Sequence, residues 1–157
     1  MLLASKPGIN GMIGGQTLDV VLSGKKISDD QLEYIYLNKT SALIECAMMI
    51  GTYLAGADEQ TVNNMEQVAR AVGMAFQVQD DILDIVGDEN VIGKPVHSDE
   101  KNEKYTYVTI HGIENAHNYV REMSEKANNI LQQIEVKNED VKFELCKLIN
   151  SLIDRDR

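Results

Sequence analysis

The sequence predicts an all-α fold, and three observations support that prediction. The 157 residues include only two prolines, and the 11 glycines fall mostly between segments whose apolar residues recur every three or four positions. Helix-capping residues stand at the starts of several of these segments. The length suits one domain with a buried core, and no apolar run approaches the length of a membrane span.

Five helices are predicted along the chain, most of them bounded by a capping residue or a glycine. Ser28 and Gln31 form an S-x-x-Q capping box, and Asp58 and Asn138 are further N-cap residues. The predicted spans are residues 10–23, 28–55, 58–87, 113–135 and a last helix that follows residue 138.

The long segment at residues 88–112 is predicted to be non-helical and is unusually rich in charge. Loops of this length are uncommon in compact domains and tend to be functional or disordered. Within it, residues 106–110 are rich in β-forming side chains, so their propensities predict an extended stretch. The segment is therefore a candidate for a functional loop.

The acidic balance of the chain limits the ligands that it can bind. The sequence has 15 Lys+Arg against 25 Asp+Glu, which gives a formal net charge of -10. Such a surface repels nucleic acid and anionic lipid, and it would repel a phosphorylated metabolite unless cations were supplied locally. Cys46 and Cys146 form no CxxC motif, and the apolar run in the first residues is too short for a secretory signal. We therefore expect a reduced, cytoplasmic protein without a nucleic-acid partner.

Three aspartates, Asp80, Asp81 and Asp84, stand at positions i, i+1 and i+4 of the third predicted helix. Each pair of like charges one turn apart costs about 0.2–0.5 kcal/mol on an exposed helix. Most such clusters are solvated acidic faces, but here no lysine or arginine interrupts the cluster before Lys94, and large aliphatic residues surround it. Several carboxylate oxygens on one face also suit Mg²⁺ or Mn²⁺ that carries a diphosphate, so both interpretations stay open.

Cations that could meet phosphate oxygens occur in the charged segment and in the second predicted helix. They are Lys94, Lys101, Lys104 and Lys39. Each lysine alone is an ordinary surface residue. Together with the carboxylates, the lysines permit a diphosphate that is held between metal and ammonium groups.

Gly11, Gly14 and Gly15 lie in the first predicted helix, where each costs about 1 kcal/mol relative to alanine. Glycines are useful in a helix where a neighbouring helix or a ligand approaches the backbone closely. Gln16 and Asp19 follow at positions i and i+3 and share a face. Close helix packing beside two exposed polar residues, and a ligand site, are both compatible with this pattern.

Four segments together resemble a known family. GMIGGQTLD, KTSALIECA, FQVQDDILDIVGD and GKPVHSDEKNEKYTY occur in the order and spacing of the trans-isoprenyl diphosphate synthases, in particular the bacterial farnesyl and geranylgeranyl diphosphate synthases. The resemblance covers nearly the whole chain and is weaker after about residue 113. It implies an isoprenoid-synthase-type helical bundle, of which residues 1–157 would be the C-terminal portion of the polyprenyl synthetase domain.

The resemblance also implies a reaction. Enzymes of this family join isopentenyl diphosphate to an allylic diphosphate, and Mg²⁺ assists ionisation by bridging the allylic diphosphate to two aspartate-rich motifs. Asp80, Asp81 and Asp84 match the second motif and would be metal ligands. Lys39, Thr40 and Gln77 would act in catalysis. The residues that the resemblance places against substrate are Gln16, Asp19, Lys39, Thr40, Gln77, Lys94 and Lys104.

The sequence departs from the family pattern in several places. The first aspartate-rich motif and the basic residues that hold isopentenyl diphosphate do not occur in these 157 residues, so we expect a C-terminal part that is inactive alone. Family members are typically homodimers, and we expect either a homodimer or association with an N-terminal half. His97 replaces a glycine that is usual in GKxxGxD, and Val108 replaces the usual proline of TYP.

Two other functions are compatible with the sequence. The helices could bind Mg²⁺ and diphosphate without chemistry, or they could form an interaction module in which the aspartates are a solvated face. Gln77, Lys94 and Lys39 at the family spacing favour a ligand site over the interaction module. A related terpene cyclase fits less well, because those proteins lack the FQVQDDILDxxGD context. These residues do not indicate a product chain length.

Overall fold

The computed structural model describes residues 2–87 and 104–153. Every regular element in these two ranges is helical, which confirms the all-α prediction. No helix in the described part of the chain combines the length and the apolar character needed to cross a membrane. The elements are α1 (Leu2–Ser5), α2 (Met12–Val21), α3 (Asp29–Tyr36), a π-helical turn (Leu37–Ser41, the π turn), α4 (Ala42–Leu54), α5 (Glu59–Val86), α6 (Tyr107–His111), α7 (Ile113–Gln133) and α8 (Glu139–Ile153).

The second predicted helix is a continuous rod that contains the π turn. It begins with the predicted capping box, in which the Gln31 amide donates to Ser28 Oγ (3.3 Å) and the Ser28 amide donates to Gln31 Oε1 (3.0 Å). α3, the π turn and α4 then follow one another, and the junction residues Leu37 and Ala42 keep helical dihedral angles. The rod is followed by Gly56, whose φ of 80° lies in the left-handed region that ends many helices. The predicted ends are confirmed, and the π turn was not predicted.

α5 forms the centre of the hydrophobic core. Asp58 caps this 28-residue helix by accepting a hydrogen bond from the Thr61 amide (2.8 Å), and the helix ends at Gly87, as predicted. Val72 and Ile82 are each 1% exposed. Full burial of one such aliphatic side chain stabilises a fold by about 1.5–3 kcal/mol. α5 packs against α4, the π turn and α7, so it positions the segments that carry the site.

Residues 106–110 contribute to helix α6, so the prediction that they are extended was wrong. The Thr109 amide donates to Thr106 Oγ1 (3.3 Å), and the Thr106 amide donates to Thr109 Oγ1 (2.8 Å). This reciprocal cap satisfies amide groups at the start of the helix and outweighs the β propensity of the side chains. Val108 packs in the core at 8% exposure, so the helix restarts without the usual proline. Residues 88–103 of the same predicted loop lie outside the described ranges.

The remaining predicted helices are also confirmed. α2 lies within residues 10–23 and is followed by Gly24, whose φ is 73°. α7 begins at the predicted residue, Ile113. α8 follows Asn138, whose Oδ1 accepts a hydrogen bond from the Asp140 amide at 3.0 Å. A side-chain cap is therefore present at the start of α8, whereas α2 and α7 begin after the glycines Gly11 and Gly112.

A charged network ties the loop before α2 to α4 and α5. Lys6 Nζ contacts the carboxylate of the buried Glu45 and lies 2.6 Å from Glu66 Oε1. Arg70 Nε lies 2.9 Å from Glu45 Oε1. Burial alone would lower the pKa of Lys6, but its hydrogen bonds to the two glutamates and their charges raise it. The network therefore fixes the approach to α2, the helix that carries Asp19.

Candidate functional site

A cavity of about 180 Å³ lies where α2, α3, the π turn, α5 and the segment before α6 meet. Part of its wall is apolar, with contributions from Leu22, Leu32 and Ile35. Its polar wall includes six of the predicted site residues, which are Asp19, Lys39, Gln77, Asp80, Asp81 and Lys104. The fold therefore gathers groups that are far apart in sequence around one opening.

Two lysines share one carboxylate at this cavity. Lys39 Nζ, on the π turn, lies 2.8 Å from Asp19 Oδ2, on α2. Lys104 Nζ, in the segment before α6, lies 3.4 Å from the same oxygen and 3.5 Å from Asp19 Oδ1. Two positive charges thus face one negative charge around Asp19, and Asp80 and Asp81 add two further carboxylates to the wall of the same cavity. An anionic ligand would find its cations here.

The lysines keep Asp19 ionised. Burial alone would raise the pKa of Asp19, but the hydrogen bond and charge of Lys39, followed by the charge of Lys104, hold its pKa below the ordinary value. The folded protein therefore binds fewer protons at Asp19 than the unfolded chain does. The resulting stabilisation is present above the ordinary aspartate pKa of about 3.9 and is lost as the pH falls through the lower pKa of the folded state.

Lys39→Met should raise the pKa of Asp19, because the nearest cation is removed while the burial of the carboxylate remains. An NMR titration of the side-chain carboxyl carbon measures this pKa directly. Lys147→Met is the matched control, since it removes an exposed lysine paired with Glu144 on α8. That control should leave Asp19 unchanged. Equal Asp19 pKa values in wild type and in Lys39→Met would contradict the pairing.

Thr40 and Gln77 join the π turn to α5 beside the same cavity. The Thr40 hydroxyl donates to Gln77 Oε1 at 2.9 Å. Both side chains are partly buried, so this bond is partly shielded from competing water. The hydrogen bond fixes the Thr40 hydroxyl and the Gln77 amide relative to each other.

The three aspartates of α5 do not form a solvated face. Asp81 and Asp84 are each 4% exposed, and Asp80 is half-buried on the cavity wall. Asp81 Oδ2 accepts hydrogen bonds from the Tyr36 hydroxyl and from the Tyr107 amide, the latter at 3.0 Å. Carboxylates that are removed from water require hydrogen bonds or cations in compensation. The aspartates are thus not the solvated face that the interaction module requires.

The cluster has the donor chemistry of a site for a hard cation. Within residues 2–87 and 104–153, no three His, Cys, Asp or Glu side chains converge to hold a metal ion by themselves. Mg²⁺, however, commonly takes one or two carboxylates and completes its coordination with water and substrate phosphate. Asp80 and Asp81 on the cavity wall, with Asp84 one turn further along α5, fit that arrangement.

Two glycines allow the π turn to reach the cavity. A Cβ added at Gly15 would lie 2.3 Å from the Lys39 backbone nitrogen, and one added at Gly73 would lie 2.7 Å from Ser41 Cα. α2 and α5 therefore approach the backbone of the π turn more closely than any other residue would allow. The expected close approach at Gly15 is confirmed, and the neighbour is the segment that carries Lys39 and Thr40.

Some predicted site residues stand apart from this group. Gln16 is exposed on α2 and does not line the cavity. Asp84 is buried on α5 and does not line it either. Lys94 lies outside the described residues.

Sequence reasoning missed Tyr36, Ser41 and Gly73. Tyr36 looks like an ordinary core aromatic, since only the fold brings its hydroxyl to Asp81. A signal for Gly73 was available, because a glycine in the middle of a long helix costs about 1 kcal/mol and usually has a packing reason.

These features define a class of protein, an all-helical domain in which lysines and carboxylates from distant segments line one cavity. Residues 5–148 match the family model described as Polyprenyl synthetase. The chain therefore belongs to the polyprenyl synthetase family. The family resemblance inferred from the motifs is confirmed.

Several relatives show how much of a family member the chain spans. It is 41% identical over 133 residues to a farnesyl diphosphate synthase of Escherichia coli K12, covering 84% of this chain and 44% of that protein. It is 42% identical over 108 residues to a geranylgeranyl diphosphate synthase of Cyanophora paradoxa, covering 67% of this chain and 35% of that protein. The crystal structure of a geranyltransferase from Helicobacter pylori complexed with magnesium and isoprenyl diphosphate matches with a TM-score of 0.85 and 30% identity, covering 98% of this chain and 50% of that chain. The chain thus spans half or less of the length of these relatives.

Proposed function

We propose that the chain forms the diphosphate-binding, C-terminal half of a cytoplasmic trans-prenyltransferase of the farnesyl or geranylgeranyl diphosphate synthase type. Its substrates are an allylic diphosphate and isopentenyl diphosphate. The proposal rests on one observation. In this chain of the polyprenyl synthetase family, one cavity is lined by Lys39, Lys104, Gln77 and Asp80. A cytoplasmic location fits the two cysteines, which are both free thiols.

In the proposed site, the lysines and the carboxylates have different roles. Lys39 and Lys104 bind the phosphate oxygens, and the family motif adds Lys94. Asp80 and Asp84 would hold Mg²⁺, and the Oδ2 of Asp81, which stands between them in the sequence, is bound by Tyr36 and Tyr107. Bound Mg²⁺ supplies Lewis-acid stabilisation of the charge that develops on the departing diphosphate.

In the proposed reaction, the bond between the allylic carbon and its diphosphate oxygen breaks, and the bonding electrons leave with the diphosphate. Lys39 and Lys104 stabilise the negative charge of that leaving group. The dipoles of the Thr40 hydroxyl and the Gln77 amide lie near the allylic cation. The cation then bonds to the terminal alkene carbon of isopentenyl diphosphate, and the released diphosphate accepts the proton that is lost.

An exposed apolar surface supports association with a second copy or with an N-terminal half. Ile9, Ile13 and Val21 are 52–77% exposed in and before α2. Together with Tyr34 they line an open groove of about 580 Å³. Contiguous exposed apolar surface commonly marks an interaction site. The proposed partner therefore covers this groove.

The chain alone should make no farnesyl or geranylgeranyl diphosphate, because the first aspartate-rich motif of the family does not occur in its 157 residues. Purified chain is incubated with radiolabelled isopentenyl diphosphate, geranyl diphosphate and Mg²⁺, and the products are separated by chromatography. Elongated product from the chain alone would refute the division of the site between two halves.

The same assay separates catalysis from binding without chemistry. A polypeptide that carries the first aspartate-rich motif of a related synthase is added to the chain. Elongated product that disappears in Lys39→Met and persists in Lys147→Met supports the prenyltransferase. If Mg²⁺ and diphosphate bind but the mixture forms no product, the non-catalytic binding protein is the better description.

A further inference from the structure

Asp81 joins three helical segments through one carboxylate oxygen. Its Oδ2 accepts a hydrogen bond from the Tyr36 hydroxyl at the end of α3 and another from the Tyr107 amide at the start of α6. We propose that Asp81 is a positioning residue, which holds Lys39 and Lys104 at the cavity by fixing the segments that carry them. This inference rests on the proposed function for the ligand that the lysines bind.

Each hydrogen-bond partner of Asp81 lies close in sequence to one of the two lysines at the cavity. Tyr36 precedes Lys39 by three residues, and Tyr107 follows Lys104 by three residues. The two partners also contact each other, since the Tyr107 amide lies 3.1 Å from the Tyr36 hydroxyl oxygen. One carboxylate on α5 therefore holds both lysine-bearing segments, and both lysines reach Asp19.

Burial makes this junction strong. Asp81 and Tyr36 are 4% and 5% exposed, so water does not readily replace either of them. Hydrogen bonds to an ionised acceptor are stronger than bonds between neutral groups. A buried donor that loses its acceptor also keeps its full desolvation cost. Removal of the junction should thus release the start of α6 and the π turn together.

The proposal separates Asp81 from its neighbour Asp80. Asp80 lies half-buried on the cavity wall, where its charge would act on a metal. Asp81 acts through the geometry of its oxygen acceptor. Asp81→Asn keeps an oxygen acceptor, whereas Asp81→Ala removes it, so the two substitutions distinguish the acceptor from the charge.

Tyr36→Phe tests the junction without changing any charge. Two quantities are measured: the pKa of Asp19 by NMR, and the affinity for inorganic diphosphate in Mg²⁺ by titration calorimetry. We expect the Asp19 pKa to rise, since the segment that carries Lys39 is released while the Tyr107 amide keeps its bond to Asp81, and we expect the diphosphate affinity to fall by about tenfold. Mg²⁺ binding measured without diphosphate should not change. Asp81→Asn should keep the Asp19 pKa low, and Asp81→Ala should raise it.

Tyr34→Phe is the matched control, because Tyr34 is 42% exposed on the same helix and lies outside the junction. It should behave as wild type in both measurements. An unchanged Asp19 pKa in folded Tyr36→Phe would overturn the proposal, whatever happens to diphosphate. Loss of Mg²⁺ binding in Asp81→Asn with an unchanged Asp19 pKa in Asp81→Ala would also overturn it, in favour of a metal-ligand role alone. If wild type does not bind diphosphate, the proposed function fails, and the Asp19 pKa still decides whether Asp81 positions the lysines.

Discussion

Asp80→Ala is expected to abolish the mutual strengthening of Mg²⁺ and diphosphate binding. In the wild-type chain, each ligand should tighten the binding of the other by the same factor, about 5–150-fold, because linkage between two ligands is reciprocal. Asp80 lies on the cavity wall, and its carboxylate offers oxygens to a metal that also contacts phosphate. Asp84→Ala should have the same effect by removing another carboxylate of the cluster. In both variants the two ligands should bind independently of each other.

Titration calorimetry measures this coupling when Mg²⁺ and inorganic diphosphate are each titrated with and without the other. Asp140→Ala is the matched control, since it makes the same change of net charge at the exposed start of α8. It should leave the coupling factor at the wild-type value. If diphosphate binds equally well in Mg²⁺ and in a chelator, the aspartate cluster is not a metal site.

Gly73→Ala should lower the free energy of unfolding by about 1–3 kcal/mol, the usual cost of an overpacked core. The added Cβ would lie 2.3 Å from Ser41 Oγ and 2.7 Å from Ser41 Cα. Ser41 is fully buried at the end of the π turn, so relief requires the backbone of that turn to move away from α5. The same movement would carry Lys39 and Thr40 away from the cavity. Diphosphate affinity should therefore fall together with stability.

Gly51→Ala, in the neighbouring helix α4, should have the opposite effect on stability to Gly73→Ala. Gly51 lies within α4, and beyond its chain neighbours and the nearby backbone of that helix no atom of residues 2–87 and 104–153 lies within 4 Å of the Cβ that the substitution would add. Alanine should therefore stabilise the helix by about 1 kcal/mol, its ordinary advantage over glycine. Urea unfolding followed by circular dichroism compares both variants with wild type. If Gly73→Ala proves as stable as wild type, the close contact between α5 and the π turn is wrong.

The helices could be predicted from the sequence because local groups determine where they begin and end. The capping box of Ser28 and Gln31 acts over three residues, and so does the cap that Asp58 provides for α5. Such signals are visible in any single sequence. Residues 106–110 are the exception, because their side chains favour an extended stretch and the reciprocal cap of Thr106 and Thr109 outweighs that propensity.

The geometry of the site depends on contacts that the sequence alone does not show. A π turn forms where the rod is packed closely by α2 and α5, and neither contact can be deduced from the residues of the turn itself. The motifs identified Lys39, Lys104 and Asp19 as separate candidates. Only the fold shows that the Asp19 carboxylate pairs with both lysines, although Lys104 lies 85 residues further along the chain. The burial of Asp81 and Asp84 likewise arises from tertiary packing.

The Asp19 carboxylate gives the cavity an internal counter-ion. Without it, two ammonium groups close to the same point would repel each other and move apart, and the cavity would lose its shape before a ligand arrived. With it, an incoming anion has to displace a carboxylate that is already seated 2.8 Å from Lys39. A singly charged anion gains little by this exchange, because it replaces one negative charge with another. A diphosphate brings several negative charges and a larger set of oxygens, so the exchange favours it. If diphosphate is the ligand, as proposed, Asp19 would thereby favour it over singly charged anions.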